Sequence, residues 1–144
     1  MASLPKQIAA EVESVETALR NLGEATGRQT KTVVELAAMA TFLHNIYNGI
    51  ENILKQMLKR NNIEISAGNN WHKELINLSV VHGIISCELS DELYDYLAFR
   101  HFFVHAYGFM IEETPLEPLV QNISLVWAKF IFEVTQKSES SGAR

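Results

Sequence analysis

The chain has little cysteine, little proline and little positive charge. A single cysteine, Cys87, stands in 144 residues. One thiol cannot close an internal disulfide, which fits a reducing compartment. With no CxxC partner and no base beside it in sequence, Cys87 reads as an inert buried thiol. Only Pro5, Pro115 and Pro118 interrupt the backbone, so the long interior between the first two is free to be helical. No run reaches the roughly 18 apolar residues that a membrane helix needs. The opening MASLPKQIAAEVESVET has no apolar signal core, and the protein is expected in the cytoplasm. Lys and Arg number 12 against 17 Asp and Glu, for a formal net charge of −5. That balance excludes a general footprint for nucleic acid and leaves any RNA contact to a local patch.

What is present is helical periodicity. Ile8, Val12, Val15, Leu19 and Leu22 recur at three- and four-residue spacing and predict a first amphipathic helix, interrupted by Gly23 and Gly27. TGRQ (Thr26 to Gln29) can cap a second, long helix over Arg28 to Arg60, with Gly49 as a point where it can bend. The run from Asn61 to Asn70 has loop composition. A shorter helix is expected over Trp71 to Val81, ended by Gly83. A fourth starts at Ser86, buries Leu89, Leu93, Tyr96, Arg100, Phe103 and Tyr107 on one face and closes at Gly108. Thr114, Pro115 and Glu117 open a last helix that runs to about Gln136. No period-two strand pattern, repeat or linker competes with these elements. The expectation is an all-α, up-down bundle of about five helices, with one domain over 1–137 and a disordered polar tail over 138–144.

The chemistry concentrates in FRHFFVHAYG, Phe99 to Gly108. At about 100° per residue, Arg100 and Tyr107 nearly eclipse each other, while His101 and His105 share a second face. Arg100 and His105 lie roughly 140° apart, awkward for one helix and reasonable across the two-fold axis of a dimer. Phe102, Phe103 and Val104 read as the packing part of the helix. Arginine binds phosphate in a bidentate way and histidine moves protons near neutral pH. Together they suit metal-free cleavage of RNA by its own 2′-hydroxyl, with Arg100 holding the phosphorane charge. The same residues also have ordinary roles, a hydrogen-bonded core histidine and a solvated arginine. His101-x3-His105 has a metal-ligand spacing but no adjacent Glu and no evident third ligand, so no metal or cofactor is expected. His44, His72 and His82 are scattered and read as structural or exposed. Lys55, Lys59, Arg60 and Lys73 are candidate RNA-contacting cations, and Asn48 and Glu51 are candidates to line the cleft.

RHFFVHAY resembles the R-x4-6-H motif of HEPN domains and, more narrowly, the R-x4-H-x-Y motif of HepT-type ribonuclease toxins. FLHNIYNGIENILKQMLKR, NWHKELI and ELYDYLAFRHFFVHAYGF, with the PLEPLV and VWAKF segments, resemble that family as well, so the likeness spans roughly residues 30 to 135. It implies a HEPN-like helical homodimer and a metal-independent endoribonuclease acting on tRNA or mRNA, the toxin of a type VII toxin–antitoxin system. Arg100 and His105 take the catalytic positions, and His101 takes the polar position after the arginine. Tyr107 takes the position that an MNT-type nucleotidyltransferase antitoxin modifies with AMP. Added bulk and negative charge there would block a phosphate-bearing substrate. An alternative stays open: a non-catalytic HEPN partner that binds a nucleotide or docks the nucleotidyltransferase, which the acidic balance and Val104 in place of a second basic residue favour.

Overall fold

A computed structural model of the chain describes residues 4–106 and 113–142. They form five helices and no strand: α1 (Lys6–Thr26), α2 (Val33–Arg60), α3 (Trp71–Val81), α4 (Cys87–Ala106) and α5 (Glu113–Gly142). α2 is the hub and packs against each of the other four, while α3 meets α4 and α4 meets α5. Its wide apolar surface explains that place: Leu43, Ile46, Ile50, Ile53, Leu54 and Leu58 are all sealed from solvent.

The ends of the helices follow from local chemistry. α1 does not stop at Gly23 but runs on to Thr26, where Gly27 caps it. Thr26 therefore ends α1, its hydroxyl donating to the Gly23 carbonyl at 3.0 Å, and is not free to open α2. The capping box that starts α2 is instead TVVE. The Thr32 hydroxyl accepts from the Val34 amide at 3.2 Å, and the Glu35 carboxylate accepts from the Thr32 amide at 2.9 Å. α2 thus begins five residues later than expected from Arg28. The intervening residues reverse the chain so that α1 and α2 can pack together.

α3 matches its expected bounds, and Gly83 closes it at φ 72°, a left-handed position that glycine takes without strain. The Ile84 amide reaches back to Ser79 and the Gly83 amide to Val80, the two bonds of a Schellman cap. Ser86 caps α4 as expected, accepting from the Leu89 amide at 3.1 Å. Glu133 of α5 grips that cap, accepting from the Ser86 amide at 2.6 Å and hydroxyl at 3.0 Å. α5 starts one residue ahead of Thr114 and continues to Gly142, so residues 138–142 extend the helix where a tail was expected.

Gly49 has a role other than bending. It is buried in α2 facing α1, and a Cβ placed there would overlap Cγ2 of Val15. The missing side chain lets the two helices approach. Gly49→Ala gains up to about 1 kcal/mol of helix propensity but forces the interface apart, at a cost of about 1–3 kcal/mol. The expected net loss is about 1 kcal/mol, read as a lower denaturation midpoint at unchanged m-value. An increase in stability would show that α1 yields freely at Val15.

Candidate active site

Polar side chains gather where α2, α3 and α4 meet. On α2 a polar stripe interrupts the apolar surface: His44, Tyr47, Asn48 and Glu51, at the spacing of one helix face. Glu51 is buried, and its carboxylate lies 2.8 Å from Nδ1 of His72, at the start of α3. The Asn48 amide meets Nε2 of His44 at 3.0 Å. Burial, and then the charge of Arg100, hold the His44 imidazole below its ordinary value, so it stays neutral at pH 7. Burial, and then the charge of Glu51, push the Tyr47 phenol far up, so it never ionises in the working range.

Arg100 reaches this buried group from α4. Its Nε is shielded from solvent and has no hydrogen-bond partner among the described residues. Arg100 also lines a cleft of about 510 Å³ with Asn70, His72, Lys73, Tyr94 and His101. The Tyr94 hydroxyl donates to Asn77 at 2.5 Å and ties α4 to α3 across the cleft. Arg100, Lys73 and two histidines line the cleft, with no carboxylate among the described residues of its walls, although the whole chain is acidic. Such a pocket attracts an anion. It is a local basic patch on an acidic chain.

The expected site residues are distributed unevenly around this cleft. Arg100 and His101 line it. His105 is exposed and does not line it. Its ring meets that of His101 at a tilt of 59°, with centroids 4.4 Å apart, one turn further along the same face of α4. Tyr107 and Gly108 lie outside the described residues. Of the apolar residues between the motif positions, only Phe103 packs inward, against Phe99 and the ring of His44. Phe102 and Val104 are 45% and 44% exposed, so the last turns of α4 present histidine and apolar side chains to the outside. Cys87 is exposed at the first position of α4, not buried.

Neither Asn48 nor Glu51 lines the cleft. Asn48 faces a separate groove between α1 and α2, and Glu51 stands behind His72. Lys73 does line it. Lys59 and Arg60 border a different recess beside Lys6, and Lys55 sits over the Trp71 ring at 4.0 Å. His72, expected to be structural or exposed, lines the cleft, whereas His44, expected in the same way, is half-buried and packs against Phe103. Four polar positions of α2 falling on one face of an apolar helix were a signal for His44. Nothing in sequence joins Glu51 to His72. Among the described residues no group of three or more His, Cys, Asp or Glu is arranged to hold a metal ion, and no helix is long and apolar enough to cross a membrane.

Known proteins align with this arrangement at two levels. The family model described as "HepT-like protein" matches residues 38–139. The structure is similar to that of the cytosolic protein of unknown function YutE from Bacillus subtilis, with a TM-score of 0.75 and 15% identity over 94% of this chain and 90% of that one. At that identity the likeness shows the five-helix fold alone. No curated protein shows significant similarity to the chain.

Proposed function

We propose, because this chain belongs to the HepT-like protein family, that it is the ribonuclease toxin of a type VII toxin–antitoxin pair, a metal-independent endoribonuclease acting on tRNA or mRNA. The observation that carries this reading is Arg100, a guanidinium with an unpartnered buried Nε at the wall of a cation-lined cleft. Arg100 binds the scissile phosphate and stabilises the charge of the phosphorane. His105 moves one proton of the reaction, and the ring of His101, tilted against it at 4.4 Å between centroids, supports it. Two copies of the chain pair through the exposed end of α4, where Phe102 and Val104 flank the two histidines. The pairing brings His105 of one copy towards the Arg100 cleft of the other. Neutralisation occurs at Tyr107, by AMP transfer from an MNT-type nucleotidyltransferase antitoxin.

Purified protein should cleave RNA in the presence of EDTA and leave 2′,3′-cyclic phosphate ends. His105→Ala should lower the rate by about 10²–10⁴-fold. Cleavage by His105→Ala at the parent rate would remove His105 from the mechanism. One observation favours a second reading, a non-catalytic partner that docks the nucleotidyltransferase: His105 does not line the Arg100 cleft of its own chain. That reading requires no cleavage by the parent, and a complex with the transferase that survives Arg100→Ala.

A further inference from the structure

Cleavage of RNA by its own 2′-hydroxyl needs two proton transfers. One group takes the proton from O2′ as the O2′–P bond forms. Another gives a proton to O5′ as the P–O5′ bond breaks. Arg100 stays charged and holds the phosphate, so neither transfer falls to it. His105 can serve once, which leaves one transfer without a group.

The cleft offers His72 for it. Glu51 is 4% exposed at its side chain, and burying a carboxylate costs several kcal/mol unless it is paired. Its partner is Nδ1 of His72, at 2.8 Å. An ionised carboxylate only accepts, so Nδ1 carries the proton that it donates to Glu51, and Nε2 is left as the working atom of the ring. The Trp71 ring lies against the imidazole with centroids 3.6 Å apart, and Lys55 caps Trp71 from outside. The imidazole is therefore held by a carboxylate at one atom and by an indole at one face. Its side chain is 16% exposed and lines the cleft with Arg100, Lys73 and His101. A histidine oriented by a buried carboxylate and facing a phosphate-binding arginine has the geometry of an activated acid–base group.

We infer that His72, positioned by Glu51, is the second proton-transfer residue of the Arg100 cleft, complementary to His105. The inference rests on the ribonuclease reading. In the step, the 2′-hydroxyl proton passes to one histidine and the other protonates O5′. The products are a 2′,3′-cyclic phosphate and a 5′-hydroxyl, and solvent returns the proton between turnovers. Glu51 touches no substrate and acts through His72. The charged and titratable groups that surround His72 are Glu51 and, across the Trp71 ring, Lys55 from α2, Lys73 from α3, and Tyr94, Arg100 and His101 from α4.

The test is single-turnover cleavage of an oligoribonucleotide by the full chain, with His72→Asn, Glu51→Gln and His105→Gln measured beside the parent between about pH 5 and pH 9. Asparagine places an amide N–H where Nδ1 was, so it keeps the bond to Glu51 and loses only Nε2. The parent should show a bell-shaped profile. His72→Asn should lose about 10²–10³-fold in rate and one limb of the bell. His105→Gln should lose the other limb. Glu51→Gln, which keeps both histidines, should fall about tenfold. It also serves as the second variant if His72→Asn melts early. A parent that cleaves while His72→Asn keeps its rate within about twofold and its whole bell overturns this inference and leaves the ribonuclease reading standing. Loss of the same limb in both histidine variants overturns it as well. A parent that cleaves no RNA removes the ribonuclease reading and this inference with it.

Discussion

Arg100→Lys is expected to lower RNA cleavage by about 10²–10³-fold while the protein keeps its fold. The substitution holds the charge constant and removes the planar fork, so it separates attraction of the phosphate from its orientation. Arg100 is half-buried, with Nε turned into the protein beside His44 and Tyr47. On the proposed reading that burial holds the guanidinium, and its two terminal nitrogens grip the phosphate as a pair. A lysine has no group at the Nε position and presents a single ammonium on a flexible stem. Little stability is at stake, because no hydrogen bond to Nε is lost. Substrate binding at low salt should weaken much less than the rate, since the cation remains. Single-turnover rates at saturating enzyme, with a melting curve for each protein, check this. A rate within a few-fold of the parent would mean that Arg100 contributes charge alone. On the toxin reading, expressing the parent should slow growth and expressing Arg100→Ala should not.

The fold was legible because its signals are local. The apolar period of α1 and α2, Gly83 after α3 and Ser86 before α4 each act within a few residues, and all are found in place. TGRQ misled because a capping box needs only Thr and Gln at the right spacing, and Thr26 was already engaged by α1. Part of the cleft lining was legible too. Arg100 and His101 announce themselves as polar residues in an apolar run. The remainder depends on pairing between helices. Glu51 and His72 are separated by the end of α2 and a loop, and only the packing of α3 on α2 brings them to 2.8 Å. Phe102 and Val104 were expected to pack because they are apolar, yet the bundle ends before it covers them. Apolar character reports what a residue tolerates, and the neighbouring helix decides whether it is buried.

Phe130→Ala is expected to cost about 3–5 kcal/mol, whereas Phe132→Ala, two positions along the same helix, should stay within about 0.5 kcal/mol. The two residues are of one type and about 200° apart around α5. Phe130 is fully buried and stacks on Trp127 with centroids 5.7 Å apart, while Phe132 is 60% exposed. Removing the Phe130 ring deletes a buried aromatic surface and leaves a cavity between helices that can close only in part. In a chain of this size the melting temperature should drop by about 10 °C or more. Urea titration of both variants checks the pair, and equal losses would mean that the Phe132 face is covered in the working assembly. The cleft walls come from α4 and from Asn69, Asn70, His72 and Lys73, and none of the described side chains of α5 joins them. Well below its melting temperature, Phe130→Ala should therefore cleave RNA at close to the parent rate. A stable Phe130→Ala protein that has lost cleavage would instead show that α5, through Glu133 at the Ser86 cap, sets the position of α4 and with it Arg100.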